Sequence, residues 1–261
     1  VKQYIPEATQ LQGSVDAKAY AKWQEDGPPE VKLEVSLPKG KVVQKLESPL
    51  QLGWESVLLN AHVSNNQLKA DWLIDVTENG DLSGQVTLPD LLAEDKELDA
   101  KVSLTTFNLD FLKPIVGDYS LLEALLETDL EVKGPMKHPQ VFGQFTIDKM
   151  KLKGDVTPID VEDGKVELDF TGYGASLNAG IQTPDGELKV EGDGDWQDLK
   201  DWHSKVRVFA EELKVDLPPM VKIKLKPDMT INVTPKLAKI DGNIALPWGR
   251  IVVEELPPSA V

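Results

Sequence analysis

The chain has 261 residues, no cysteine, and 44 acidic against 28 basic side chains, a formal net charge of -16. That balance argues against a nucleic-acid partner and against electrostatic docking on an anionic membrane, both of which draw on clustered lysine and arginine. The missing cysteines exclude a disulfide framework and thiolate chemistry, and no run approaches the ~18 apolar residues of a spanning helix.

Along the chain, period-two alternation dominates. The start, "VKQYIPEATQ", lacks the basic and apolar regions of a signal peptide, and the first strand-like spelling is "LQGSV" at 11–15. Residues 16–24, "DAKAYAKWQ", have helical propensity, but the alternation of Val15, Ala17, Ala19 and Ala21 predicts a strand. "QEDGPPE" at 24–30 reads as a loop, and "VKLEVSL" puts Val31, Leu33, Val35 and Leu37 on one face. "ENGD" at 78–81 is a turn, followed by the strand "LSGQV" at 82–86. In "LDFLKPIVGDY", Leu109, Leu112, Ile115 and Val116 stand at helical spacing, so a short helix is expected, limited by Pro114 and stopped by Gly117.

Alternation resumes in "LLEALLETDLEV", "HPQVFGQFTI", "GKVELDF" and "ASLNAGIQT", separated by turns at 162–164, 172–175 and 184–186. "DWQDLKDW" at 195–202 predicts one helical turn, and "LPPM" at 217–220 a loop. In "MVKIKLKPDMTINV", Val221, Ile223 and Leu225 oppose Lys222, Lys224 and Lys226, and the pattern continues at Met229, Ile231 and Val233 after an expected turn at Pro227-Asp228. "IDGNI" at 240–244 is a further strand, and the close, "WGRIVVEELPPSAV", ends soon after one more. The termini read as those of a fragment, and the whole as one mostly β meander of antiparallel strands.

No constellation carries catalysis. His62, His138 and His203 are scattered without ligand spacing. "EGDGDWQDL" begins like a calcium loop at Asp193 and Asp195, but Gln197 and Asp198 occupy the positions that call for an oxygen ligand and a glycine. "GYGA" lacks the third glycine and helix of a dinucleotide loop. Neither a cofactor nor a metal site is expected, and no enzyme activity.

A dozen or more strands, apolar on one face and charged on the other, have too little helix to cover them. The apolar face must stack on a second sheet, close into a barrel, or fold over into a groove. Periodicity leaves these open. Gly13, Gly84, Gly143 and Gly242 each interrupt an apolar face, and a glycine there removes a Cβ where a curling sheet is most crowded. They are candidates for a crease, with separate bulges in a sandwich as the alternative.

"KGPMKHPQVFGQFTIDKMKLKG" at 133–154 resembles a spelling of the TamB family of AsmA-like envelope proteins. "LDFLKPIVGDYSLLEALLETDLEVKG", "GDGDWQDLKDW", "VDLPPMVKIKLKPDM" and "DGNIALPWGRIVVEELPPSAV" resemble the carboxy-terminal region of that family, most clearly from residue 81 to 261. The resemblance implies a long antiparallel sheet curled into a U-shaped trough (a β-taco) with an apolar interior. It implies a periplasmic setting, in a chain anchored in the inner membrane and partnered with TamA in the outer membrane. It also implies a part in phospholipid movement between membranes or in insertion of outer-membrane proteins.

On that reading the groove is lined by Leu130, Val132, Phe145 and Ile147, then Leu168, Phe170, Leu177 and Ile181. The lining continues through Val206, Val208, Val221, Ile223, Leu225, Ile231 and Val233 to Ile244, Ile251 and Val253. The expected partners are a phospholipid or other acyl-chain ligand, TamA, and nascent outer-membrane proteins. Exposed strand edges predict self-association of the fragment.

Overall fold

The computed structural model describes residues 9–25, 27–45, 49–113, 119–154, 160–217 and 221–251. Sixteen strands form one sheet: β1 (Thr9–Gln12), β2 (Asp16–Gln24), β3 (Gly27–Gln44), β4 (Leu50–Ser64), β5 (Gln67–Val76), β6 (Gly80–Leu88), β7 (Glu97–Asn108), β8 (Tyr119–Pro135), β9 (Gln140–Gly154), β10 (Asp163–Gly172), β11 (Gly174–Thr183), β12 (Gly186–Asp195), β13 (His203–Phe209), β14 (Leu213–Leu217), β15 (Val221–Val233) and β16 (Ala238–Ile251). All pairings are antiparallel, and from β3 to β13 every strand pairs with its neighbour in sequence. The connections explain this order, because a two-residue turn returns the chain at once. Asn65 and Asn66, both at positive φ (49° and 60°), make such a turn between β4 and β5.

At two places two short strands share one neighbour. β1 and β2 both pair with β3, and β13 and β14 follow one another along β15. The second arrangement corrects the expected turn at Pro227-Asp228, since β15 runs straight through both residues. The Pro227 carbonyl accepts from the Ala210 N–H, so the missing proline amide faces the gap between β13 and β14 and costs no ladder bond to β16. "QEDGPPE" is also tighter than expected: Gln24 pairs with Gly27, and Pro28 and Pro29 lie within β3, beyond the residues that pair with β4.

Of the expected helix at 109–116, one 3-10 turn is present, Asp110–Leu112, and residues 114–118 lie outside the described set. The expected turn of helix at 195–202 is instead a bent loop, in which the Asp195 and Asp198 carboxylates accept from the Gln197 and Lys200 N–H groups. Aspartates that bond their own backbone in this way compete with helix formation. The segment 16–24 is a strand, as its alternation predicts.

The sheet does not close, and it curls into a trough. A compact monomer of 28.8 kDa exposes about 11,000 Å²; this chain exposes 17212 Å². The excess is what a single curled layer predicts and a two-layer sandwich does not. Among the described hydrophobic residues other than proline and glycine, only Val76, Ala100, Phe107, Ala124, Ala210, Leu213 and Val215 are buried.

Candidate functional site

Partners in an antiparallel ladder carry their side chains to the same face, so the registers trace a face from strand to strand. One row runs Ala17, Val35, Leu59, Trp72, Gly84, Val102, Leu130, Gly143, Phe170, Ala175, Gly194, Ser204, Val233, Ala238. At ~4.8 Å per strand the row extends about 60 Å. Beside it run Leu37, Val57, Ile74, Leu82, Leu104, Thr128, Phe145, Leu168, Leu177, Gly192, Val206, Ile231 and Ile240. Both rows are almost wholly apolar or small.

Bulges keep this face in phase. Between Leu104 and Phe107, β7 takes one extra residue at Thr106 (φ 46°), and β9 does the same at Lys149 (φ 51°). Sequence alternation slips at these points while the face does not.

Side chains of these rows are mostly half-buried, and those of the opposite face mostly exposed. A single layer has no second sheet to cover it, so the less exposed face is the one the sheet curls around. The apolar face is therefore the inside of the trough. All seventeen described members of the sequence-derived lining lie on it: fifteen are half-buried, while Ile244 and Ile251 on the last strand are exposed. Val253 lies outside the described residues.

Ile223 and Leu225 differ from the rest. They pack with Leu188 against buried Ala210, Leu213 and Val215, so at this point the inner face is a small closed core. A second closed point lies at Phe107, which meets Phe111 edge-to-face at 5.9 Å; the turn bearing Phe111 rests against both β8 and β4.

The four candidate crease glycines have different surroundings. At Gly84 an added Cβ would lie 2.2 Å from Cζ2 of Trp72, whose indole crosses the vacant position. At Gly143 (φ +114°) and Gly242 (φ +148°) it would meet the Asp129 and Asp228 carbonyl oxygens of the facing strands. Gly13 sits in the bend between β1 and β2.

The outer face is a lattice of charges. Glu131 accepts from Lys101 at 2.7 Å and Lys133 at 2.6 Å, and these two hydrogen bonds hold its carboxyl down at about 2. The Arg207 guanidinium grips both oxygens of Asp228 (2.8 and 2.9 Å), lowering that carboxyl too. The Lys224–Glu212 and Lys226–Glu211 pairs take up two of the three lysines that oppose Ile223 and Leu225. Concavities between the outer strands are shallow and polar, as at Lys165, Glu167, Asn178 and Lys189. No group of residues suited to a metal ion occurs among the described residues. Chemically, the inner face can shed water from an apolar guest, and the outer face keeps the sheet wetted.

Sequence reasoning missed the first half of the inner face. Leu59, Trp72, Ile74, Leu82 and Val102 belong to the same rows as the lining named from residue 130 onward. The alternation of "LKADWLIDV" carried that signal.

A family model for the TamB N-terminal domain matches residues 1–147, and one for the TamB C-terminal domain matches residues 177–261. The ladder runs without a break between the two matched stretches. The translocation and assembly module subunit TamB of Haemophilus influenzae is 26% identical over 255 residues, which is 97% of this chain and 20% of that protein. The chain thus spans about a fifth of the length of this relative. No solved structure matches the chain.

Proposed function

The chain belongs to the TamB family, and on that premise we propose that its trough shields phospholipid acyl chains as one periplasmic segment of a conduit between inner and outer membranes. The observation that supports this is the continuous row of apolar or small residues along fourteen strands, most of them only half covered. Each CH₂ of a lipid tail costs ~0.8 kcal/mol in water, so a sixteen-carbon chain gains roughly 10 kcal/mol from such a surface. A continuous path lowers that cost at every step without a specific pocket, which suits movement better than storage. The outer-membrane partner in this reading is TamA, engaged by the full-length protein.

The test is a charge placed in the open part of the groove. In the full-length protein, Leu168→Asp or Leu177→Asp should stop lipid passage while the fold survives, because both sites are half-exposed. Glu167→Lys, on the outer face, should leave passage intact. Normal flux through the two aspartate variants would defeat the proposal.

A second reading draws on one observation: β16 is exposed along its whole length and, among the described residues, its outer edge has no partner strand. Such an edge can template a strand of an unfolded outer-membrane protein. A photo-crosslinker at Leu177 separates the two, by capturing phospholipid or nascent polypeptide.

A further inference from the structure

The two rims of the trough differ. Strand ends alternate between them. One rim holds the β5–β6 turn, the end of β7, the start of β8, the β11–β12 turn and β14. Nearly all the buried apolar side chains lie toward this rim: Val76, Phe107 and Ala124 near the Phe111 turn, and Ala210, Leu213 and Val215 around β14. Ala100 is the exception. Covering segments therefore close the interior at two places along this side.

The opposite rim has apolar tips instead. From β8 onward its connections are the loop at 136–139, Tyr173, the loop at 196–202 and the turn at 234–237. Met136, Leu199 and Leu237 stand there 49%, 52% and 63% exposed. Each has a lysine as its chain neighbour: Lys137, Lys200 and Lys236. The loops are braced, since His138 stacks on Tyr173 at 4.4 Å and its Nε2 lies 3.0 Å from the Trp196 carbonyl. The Trp196 ring in turn meets Phe170 of the inner face at 6.3 Å.

Charge follows the same division. Lys137 meets Asp95 at 3.4 Å, whereas among the described residues Lys200 and Lys236 make no ion pair. On the closed rim from β7 onward, the described connections carry Asp110, Asp160, Glu162, Asp185, Glu211 and Glu212 against Lys113, whereas those of the open rim from β8 onward carry Asp198 and Asp201 against Lys137, Lys200 and Lys236. Apolar tips beside lysines, on the less acidic of the two rims, match the junction between tail and phosphate in an amphiphile.

We propose that this rim is the mouth of the groove: Lys200 and Lys236 hold the phosphate of a lipid headgroup while its acyl chains lie on the apolar face. The assignment rests on the acyl-chain reading of the trough and adds a direction to it, with headgroups along one rim only. It also reconciles a chain of charge -16 with an anionic ligand, because the cations are local.

The experiment uses full-length protein carrying a photo-reactive residue at Leu199, Leu237, Asp185 or Leu177, in cells whose phospholipids are radiolabelled in the phosphate. Capture of labelled phospholipid at Leu199 and Leu237, several-fold above Asp185 on the closed rim, is the expected result. Lys200→Ala with Lys236→Ala should lower that capture about fivefold per lysine, and the two arginine replacements should retain it. Equal capture at Asp185, or indifference to the alanine pair, overturns the proposal. Capture at Leu177 without capture at Leu199 or Leu237 overturns it while leaving the conduit standing. No lipid at Leu177 or at either rim removes both.

Discussion

Gly143 is exposed, carries φ +114°, and lies where an added Cβ would sit 2.0 Å from the Asp129 oxygen. Gly194, in the same row, has nothing nearer than 3.7 Å to its missing Cβ. The two should therefore respond oppositely to alanine. Gly143→Ala is expected to lose about 1–3 kcal/mol in urea denaturation, from backbone strain and the carbonyl clash. Gly194→Ala should gain about 0.4–1 kcal/mol by restricting the unfolded chain. Spelling alone made Gly13, Gly84, Gly143 and Gly242 look alike. What separates them is the neighbour across the ladder (an indole, a carbonyl, a bend), and that depends on register, which no local stretch of sequence states.

Glu131 gives a second prediction at this scale. Its carboxyl falls from 4.5 to about 2 through the Lys101 and Lys133 hydrogen bonds. A depressed carboxylate stabilises the fold fully above its unfolded value and loses that contribution as pH falls through the folded one. Glu131→Gln should therefore lower the thermal midpoint near neutrality and flatten its acid dependence between about pH 4.5 and pH 2, so that the two proteins converge at the acid end. An unchanged slope in that window would show that the two lysines do not hold the carboxylate in solution.

At the scale of elements, β14 shows where the sheet becomes a core. Leu213 is 3% exposed and Val215 6%, whereas Leu177, at a comparable place on the inner face, is half-buried. Truncation should separate them: about 2–4 kcal/mol lost for Leu213→Ala and about 1 kcal/mol for Leu177→Ala, measured by urea denaturation. Equal losses would mean that the open face is packed in solution after all. The existence of most strands was legible from alternation, and so was the face of β8 to β11, β13 and β15; the inward residues of β12 and β14, Leu188, Leu213 and Val215 among them, were not named. The partition of one edge of β15 between β13 and β14 was not. Pro227 looked like a turn because proline ordinarily breaks a ladder, and only the gap opposite it makes a straight strand possible. Of the helix expected near 109–116 the described residues hold the turn at Asp110–Leu112, and Leu109 gives its N–H to the Ala124 carbonyl, which ties the start of the segment to β8.

Across the whole molecule, alternation could not choose between sandwich, barrel and trough, since each hides the same stripe; the resemblance chose, and the large exposed area agrees. An open sheet has two edges, and their chemistry follows from one bond. Because the Pro227 carbonyl points to Ala210, the polar groups of Pro227, Met229 and Ile231 face β13 and β14, and those of Asp228 and Thr230 face β16. Their partners Asn243 and Asp241 consequently bond to β15, while Ile240 and Gly242 turn their N–H and C=O groups to the open side. Ile240 is also 67% exposed, so this edge joins unpaired backbone to apolar side chains, the combination that recruits another strand. The 261-residue chain should accordingly associate with rising concentration in analytical ultracentrifugation. Ile240→Pro removes one outward donor without breaking a bond to β15 and should shift that association to higher concentration, leaving the circular dichroism of the sheet unchanged. Association that persists undiminished in this variant would move the contact to β1 and β2, whose exposed Leu11 and Tyr20 mark the other edge.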